Sequence, residues 1–182
     1  ANLFVTVMVQ TPNGPTPRKK PAFDVWMESA ERPTAVGVVI NDKGGRIVGE
    51  SLNLWRGFGV EPKKGEWPLL RQHIEDIVCS GNKDHARYLM KWLAWKLQHP
   101  TKPAEVALVL RGLKGTGKGT LMQLMLEIFD IHGHQISDRK HLVGSFNAHL
   151  MKCLFLNADE ALWPGDKASE GPLKRLITEP TL

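Results

Sequence analysis

A glycine-rich segment that leads into a lysine is the part of the sequence best suited to bind phosphate. Glycines allow successive backbone N–H groups to converge on phosphate oxygens, and a helix that begins there adds about half a positive charge. The ammonium of Lys118 would then lie against the β- and γ-phosphates of a nucleotide. These residue types predict an ATP site formed by Gly112, Gly115, Thr116, Gly117, Lys118, Gly119 and Thr120.

The residues on either side predict the two elements that such a loop requires. Val106 to Leu110 is a short apolar run without polar alternation, typical of a strand buried on both faces of a parallel sheet. Apolar residues then recur at helical spacing from Leu121 to Phe129. Strand, glycine loop, lysine and helix in this order form the P-loop of NTPases, whereas a glycine cluster alone usually forms only a turn.

The residue after the lysine departs from the usual P-loop pattern. Ser or Thr normally binds Mg²⁺ at that position, but this chain has Gly119 there and carries the hydroxyl one residue later, on Thr120. Two alternatives follow for Thr120. One is direct Mg²⁺ ligation, which the shifted position disfavours, and the other is contact with a phosphate oxygen while Mg²⁺ is held through water.

A pair of carboxylates after a second apolar run predicts the acidic half of the site. Asp159 and Glu160 follow residues 153–158, and Asp159 lies 41 residues beyond Lys118. We expect Asp159 to hold Mg²⁺ or its water shell, and Glu160 to orient and deprotonate the attacking water. An isolated Asp-Glu pair is usually a solvated loop, but at this position it resembles a Walker B element. Lys118, Asp159 and Glu160 are the predicted catalytic residues.

Four histidines lie between the glycine loop and the acidic pair. His132 and His134 would share one side of an extended chain, which makes a metal site conceivable. Because no cysteine or carboxylate stands at ligand spacing, we interpret all four as surface or core residues: His132, His134, His141 and His149.

The first fifty residues predict a small β-containing segment. Alternating apolar residues from Leu3 to Val9 favour a strand, and residues 11–21, with several prolines and a basic run, favour a loop or linker. Residues 23–30 favour a short helix. Residues 35–40 and 46–48 predict a β-hairpin around a loop of Asn, Asp, Lys and two Gly, in which several residues tolerate a positive φ.

Helical spacing dominates residues 69–98. The first predicted helix has Ile74, Ile77 and Val78 on one face, and the second has an apolar stripe formed by Ala86, Leu89, Met90, Leu93, Ala94 and Leu97. Tryptophans beside this stripe could stack on bases, but at helical spacing they more often pack in the core, and we adopt that interpretation.

Composition places the chain among ordinary globular proteins. Of its 182 residues 42% are hydrophobic and 24% charged, which disfavours disorder, collagen and coiled coil. No apolar run approaches the roughly 18 residues that cross a bilayer, so we predict a soluble, non-secreted protein. Two distant cysteines predict no disulfide framework. The net charge of +5 forms no dense basic stripe, so charge alone does not predict nucleic-acid binding.

With these elements in place, the chain resembles the helicase portion of phage and plasmid primase-helicases, within the superfamily-3 group of AAA+ ATPases. The similarity covers about residues 50 to 182 and is specific as a combination of blocks. The blocks are Asn53 to Pro62, Tyr88 to Trp95, Leu110 to Thr120, Gly144 to His149, Asn157 to Trp163, Gly165 to Lys167 and Leu173 to Glu179.

This resemblance implies the fold, the cofactors and the partners. The implied fold class is α/β, a P-loop NTPase core of the AAA+ type with a parallel sheet, incomplete at its C-terminus and preceded by a helical segment. ATP and Mg²⁺ are the implied cofactors. Single-stranded or forked DNA is the implied partner of a homo-oligomeric ring, alongside an upstream primase or polymerase domain in a bacterial host cytoplasm.

DNA-gripping elements follow the Walker B strand in this family, so the resemblance makes Lys174 and Arg175 the nearest basic candidates for DNA contact. A Lys-Arg pair on a helix is, however, usually a solvated face. The implied activity is helicase movement on DNA coupled to ATP hydrolysis.

The sequence predicts three domains or segments. Residues 1–50 form a hairpin and linker segment, or the tail of an upstream domain. Residues 51–100 form a helical segment, and residues 101–182 form the first part of the ATPase core. A start at Ala1 and an end at Leu182 suggest a fragment. The family's sensor asparagine and arginine finger would lie beyond that end. Because an arginine finger contributes roughly 10³- to 10⁵-fold in turnover, we expect weak or no ATP hydrolysis by this chain.

Two other functions remain open from the sequence. A nucleoside monophosphate kinase also uses a loop of this glycine pattern, but it needs several arginines to close over two nucleotides, and only Arg139 and Arg175 follow the loop. The other alternative is a truncated, non-catalytic chain that binds nucleotide or DNA.

Overall fold

The computed structural model describes residues 3–113, 115–137, 150–159 and 167–179, with the side chains of residues 167–170 and 172 outside the description. The chain divides into two compact units, Ala1–Gly37 and Val38–Leu182. The sequence-predicted block Gly144 to His149, His141 and the catalytic candidate Glu160 all lie outside the described residues.

The first unit is an antiparallel hairpin followed by a short helix. Strand β1 (Phe4–Thr11) pairs with β2 (Gly14–Pro21), and helix α1 spans Ala22–Glu28. The β1 strand and the short helix were both predicted from the sequence and are confirmed. The linker predicted for residues 11–21 is wrong, because most of it forms β2.

The prolines of β2 explain why this stretch is extended despite its composition. Pro15, Pro17 and Pro21 pair with Gln10, Met8 and Phe4, so they are separated by even numbers of residues. In a strand such residues point their backbone nitrogens to the same side. The N–H of Ala22, next to Pro21, donates to the Leu3 carbonyl at 2.8 Å, so the nitrogens that face β1 are those of the even-numbered residues. The missing N–H groups therefore remove no bond from the ladder.

The second unit begins with a three-stranded sheet. Strands β3 (Gly37–Val39), β4 (Ile47–Val48) and β5 (Ser51–Asn53) are arranged in the order β3-β5-β4. The predicted hairpin between residues 35–40 and 46–48 is therefore wrong. Gly49, with a φ of 61°, lets the chain turn tightly after β4, so β4 pairs with β5 and β5 occupies the central position.

The Asn53 side chain closes the loop that follows β3. It is 1% exposed, and its Oδ1 accepts from the backbone N–H groups of Asn41 and Trp55 at 3.0 and 3.1 Å. Its Nδ2 donates to the carbonyls of Asn41 and Gly45, both at 2.9 Å. A buried amide with both ends satisfied holds this loop in one conformation.

Helices α2 and α3 follow. Helix α2 (Pro68–Gln72) continues as a π-helical turn, His73–Val78, and α3 spans Lys83–Gln98 with Asn82 as its N-cap. Both predicted helices are present, but the predicted face of the first is partly wrong. The N–H of Cys79 bonds to the carbonyl of Ile74, five residues back, so in this wider turn Ile74 and Cys79 are buried while Ile77 is 50% exposed.

The apolar stripe of α3 is largely confirmed. Ala86, Leu89 and Leu93 are buried, although Ala94 is exposed. Trp92 packs against the core and donates its indole N–H to the carbonyl of Val106 at 3.2 Å, which supports the packing interpretation of this tryptophan. Its outer edge borders an open cavity of about 300 Å³ on the surface of α3.

The segment before the glycine loop differs from its prediction. Val106 to Leu110 belongs to no strand in the described structure, and Val106 and Val109 are 45% and 83% exposed. Leu108 packs against the core and Leu110 is half-buried. The prediction of a strand buried on both faces is therefore wrong for the described structure.

The rest of the second unit alternates helix and strand. Helix α4 (Lys118–Phe129) passes through a 3₁₀ turn, Asp130–His132, into β6 (Gly133–Ile136), which pairs in parallel with β7 (Phe155–Ala158). Helix α5 spans Lys167–Thr178. The described residues thus form a mixed α/β unit with one parallel strand pair, and a larger parallel sheet is not seen among them.

Helix α4 forms the centre of the main core. Leu121, Met125 and Phe129 are at most 2% exposed. The Phe129 ring stacks on Phe155 of β7 with centroids 5.4 Å apart, and it meets Phe58 edge-on at 5.3 Å. The predicted helical face from Leu121 to Phe129 is confirmed.

His132 is a buried member of this core. It is fully buried, its Nδ1 donates to the carbonyl of Lys152 at 2.9 Å, and its Nε2 accepts from the backbone N–H of Arg56 at 3.1 Å. Trp55 stacks on the ring with centroids 4.8 Å apart. These bonds require the neutral ring, and burial lowers the pKa of His132 below its ordinary value.

We predict that acid destabilises the second unit through His132. Because its folded-state pKa lies below the unfolded value of about 6.5, its full contribution to stability is present above that pH. The contribution is lost as pH falls through the folded-state pKa, with a slope of at most about 1.4 kcal/mol per pH unit. Urea unfolding of the wild type and His132→Gln between pH 5 and 7.5 measures this.

The His132→Gln variant is expected to be less stable throughout and to lose less stability on acidification. His85→Gln, at an exposed position on α3, serves as the control and is expected to keep the wild-type profile. Parallel pH profiles for the wild type and His132→Gln would contradict the prediction.

Candidate functional site

The glycine loop reverses the chain immediately before α4. Gly115 and Gly117 have φ values of 80° and 75°, in the left-handed region that favours glycine, and Gly117 is the N-cap of α4. The seven predicted loop residues between Gly112 and Thr120 therefore stand together at the start of a helix.

The Lys118 ammonium folds back over this loop. Its Nζ donates to the carbonyls of Gly112 and Leu113 at 3.0 and 2.8 Å, and to the hydroxyl of Thr116 at 3.0 Å. Thr116 Oγ1 in turn donates to the Leu113 carbonyl at 2.9 Å. The positive charge is thus held inside the loop by neutral oxygens and has no carboxylate partner among these contacts.

The first turn of α4 adds a second source of positive potential. The early N–H groups of a helix have no carbonyl partner four residues back, and the helix dipole is positive at this end. The first turn contains no acidic residue, and both Gly119 and Thr120 are exposed. An anion that approaches this end meets backbone donors and an ammonium.

His73 is a loop contact that the sequence analysis missed. Its Nε2 lies 3.0 Å from the carbonyl oxygen of Gly117, although the two residues are 44 positions apart. A Cβ on Gly117 would overlap the imidazole. No spacing rule indicates this contact, because it depends on how α2 and its π-helical turn pack against the loop.

Asp159 directly follows β7. Its backbone N–H donates to the carbonyl of Ile136 at 2.9 Å, and its Oδ2 accepts from the Gln135 side chain at 3.3 Å. Both side chains are exposed. Gln135 reaches Asp159 because parallel pairing of β6 and β7 sets Gln135 opposite Asn157. No local pattern in the sequence indicates this contact of Gln135.

Helix α4 and the strand pair meet at the C-terminal end of the helix. Only the short 3₁₀ turn separates α4 from β6. The ring of Phe129, the last residue of α4, stacks on Phe155, the first residue of β7, with centroids 5.4 Å apart. Asp159 follows the other end of β7.

The chemistry of these groups fits a hard divalent cation. The Asp159 carboxylate and the Thr120 hydroxyl are both oxygen donors, the kind that Mg²⁺ prefers, and Mg²⁺ commonly takes one or two carboxylates beside phosphate oxygens. In the part of the chain that the structure describes, no group of three or more His, Cys, Asp or Glu side chains could hold a metal ion.

The candidate DNA contacts lie on the outer face of α5. Leu173 and Leu176 pack against a small core of Ile136 and Leu150, which leaves Lys174 and Arg175 exposed. Arg175 Nε forms an ion pair with Glu179 Oε2 at 3.1 Å. Separately, none of the helices in the described ranges is long and apolar enough to cross a membrane.

Comparisons with known proteins support the fold. Residues 110–182 match the profile of a family described as a family of unknown function (DUF5906). No curated protein matches the chain. A solved structure, the apo structure of the NrS-1 C terminal region (305-718), is similar with a TM-score of 0.70 and 22% sequence identity.

That similarity covers 91% of this chain and 44% of the NrS-1 chain, so this chain spans less than half the length of its structural neighbour. At this level of identity, the likeness concerns the fold. The mixed α/β architecture is therefore shared with the NrS-1 C-terminal region.

Proposed function

We propose that this chain is the ATP-binding part of a replicative helicase related to the phage and plasmid primase-helicases, in which ATP hydrolysis drives movement along DNA. The observation that carries the proposal is the glycine loop around the Lys118 ammonium at the N-terminus of α4. An ammonium, left-handed glycines and first-turn N–H groups in one place are suited to bind the phosphates of a nucleotide.

In this proposal Lys118 exchanges its acceptors when ATP binds. The carbonyls of Gly112 and Leu113 are neutral, so phosphate oxygens compete with them through charge-assisted hydrogen bonds. Thr116 and the N–H groups from Gly115 to Gly119 complete the phosphate contacts. Thr120, exposed one residue past the usual hydroxyl position, contacts a phosphate oxygen or the water shell of Mg²⁺.

The acidic half of the proposed site divides two roles between neighbouring carboxylates. Asp159 binds Mg²⁺ or its water shell and is oriented by Gln135. Mg²⁺ supplies charge neutralisation between the phosphates. Glu160 orients and deprotonates the attacking water.

DNA movement is the part of the proposal that depends most on resemblance. It is supported by the sequence blocks that resemble those of primase-helicases and by the fold shared with the NrS-1 C-terminal region. Lys174 and Arg175 contact the DNA backbone in this proposal, and subunits assemble into a ring in the cytoplasm of a bacterial host, next to a primase or polymerase domain.

We predict that Lys118→Ala weakens ATP binding by about 10- to 100-fold, the loss expected for hydrogen bonds from a charged donor. Isothermal titration with ATP and Mg²⁺ measures this. Lys91→Ala removes an exposed lysine of α3 and is expected to keep the wild-type affinity. Equal affinities for the wild type and Lys118→Ala would overturn the assignment of the loop.

Mg²⁺ is expected to raise the affinity for ATP. We predict that Asp159→Asn lowers the affinity measured with Mg²⁺ by roughly tenfold and so removes most of this gain, because the amide cannot replace the carboxylate charge. Titrations with Mg²⁺ and with EDTA separate this gain from metal-free binding, which should change little. Asp84→Asn, at an exposed site on α3, is the matched control. A Mg²⁺ gain unchanged in Asp159→Asn would exclude this residue from the metal site.

We predict that single-stranded DNA binds to the chain in the presence of a non-hydrolysable ATP analogue. The double variant Lys174→Ala/Arg175→Ala should flatten the slope of log affinity against log salt by about 1.4, the value for two lost phosphate contacts on a single strand. Fluorescence anisotropy of a labelled oligonucleotide measures this, and Arg71→Ala/Arg87→Ala is the control.

An unchanged salt slope in the α5 variant would contradict its role in DNA binding. Phosphate transfer from ATP to AMP in a coupled assay would instead favour the nucleoside monophosphate kinase alternative.

A further inference from the structure

The contact between His73 and the glycine loop has a defined direction. Gly117 contributes a carbonyl oxygen, which can only accept, so the His73 Nε2 at 3.0 Å is the protonated donor. The same carbonyl also accepts from the N–H of Thr120 at 3.1 Å, within the first turn of α4. His73 therefore ties the helical segment to the residue that immediately precedes Lys118.

Gly117 is the residue that permits this contact. An ideal Cβ at this position would overlap the His73 imidazole, whereas a Cβ at Gly115 or Gly119 would meet nothing within 4 Å. Its left-handed φ of 75° independently favours glycine. The absence of a side chain at position 117 thus serves both the turn and the approach of the ring.

His73 is held in place by the core beneath it. It is the first residue of the π-helical turn, and the next residue, Ile74, is 2% exposed in the same core as Leu121 of α4. Its backbone N–H bonds to the carbonyls of Leu69 and Leu70. His73 therefore begins a π-helical turn, a feature often found at functional sites.

The hydrogen bond sets the direction of a neighbouring N–H group. In a trans peptide the C=O and the N–H point in opposite directions, and the described residues contain no cis peptide bond. Holding the Gly117 oxygen toward His73 therefore turns the Lys118 N–H to the opposite side. This N–H belongs to the first turn of α4, where backbone donors have no helical partner.

We propose that His73 is a positioning residue of the nucleotide site: its imidazole N–H fixes the peptide between Gly117 and Lys118 so that the Lys118 N–H faces the phosphates. The inference rests on the proposed function, since it assumes that this loop binds nucleotide. It adds a residue from outside the loop, contributed by the helical segment.

The test compares a donor-free ring with a side chain that restores the donor. His73→Phe keeps a planar ring and removes the N–H, whereas His73→Gln keeps an N–H at similar reach. We expect His73→Phe to weaken ATP binding by about tenfold, near the upper range for one hydrogen bond, and His73→Gln to recover most of that loss. Isothermal titration with ATP and Mg²⁺ gives both affinities.

Two controls separate positioning from stability. His85→Phe makes the same change at an exposed site of α3 and should bind ATP as the wild type does. Thermal unfolding verifies that each variant is folded, and His73→Ala replaces His73→Phe if the larger ring prevents folding. If the role of His73 is purely structural, its replacement lowers the melting temperature and His73→Gln does not restore the affinity for ATP.

The outcomes distinguish this inference from the function on which it rests. A wild type that binds no ATP would overturn the proposed function and the inference together. A wild type that binds ATP, with Lys118→Ala weakened but His73→Phe and His73→Ala unchanged, would overturn the inference alone. If His73→Phe and His73→Gln both bind ATP more weakly than the wild type and with equal affinity, the N–H donor of His73 is excluded as the cause of the loss.

Discussion

The burial of one face of α4 is the constraint on which the rest of the second unit depends. Leu121, Met125 and Phe129 are almost inaccessible to solvent, and Phe129 stacks on Phe155 of β7. A helix fixed along its whole length presents its N-terminus at a defined point. Apolar packing of α4 therefore positions the glycine loop, the Lys118 ammonium and the first-turn N–H groups.

Buried polar groups give this apolar frame its specific connections. Asn53 and His132 are both nearly or fully buried, and each uses its side-chain donor and acceptor on backbone groups. Leaving a buried donor or acceptor unpaired costs about 1–3 kcal/mol, so these side chains select one arrangement of the loops around them. Lys96 acts similarly, since its Nζ donates to the carbonyls of Pro100 and Lys102 at 2.8 Å and burial lowers its pKa to about 8.

Helices were predicted better than strands, for a physical reason. The stripe of α3 and the apolar face of α4 follow from local spacing, because every backbone bond of a helix is made within the segment. Strand pairing depends on distant partners. Pro15 and Pro17 indicated a linker, yet both lie in a strand that pairs with β1. Val106 to Leu110 indicated a buried strand, yet the described residues contain no strand that pairs with this segment. The π-helical turn that exposes Ile77 likewise depends on the packing of Ile74 and Cys79.

The sequence by itself determined the glycine loop and the helix behind it, because glycines, a lysine and an apolar stripe at helical spacing are local properties of consecutive residues. It also determined the approximate place of Asp159 after a second apolar run. Only the tertiary structure decided that Gln135 contacts Asp159, that His132 is a core residue, and that His73 donates to Gly117. Those contacts join residues far apart in the chain, and no local energy specifies them until the core has formed.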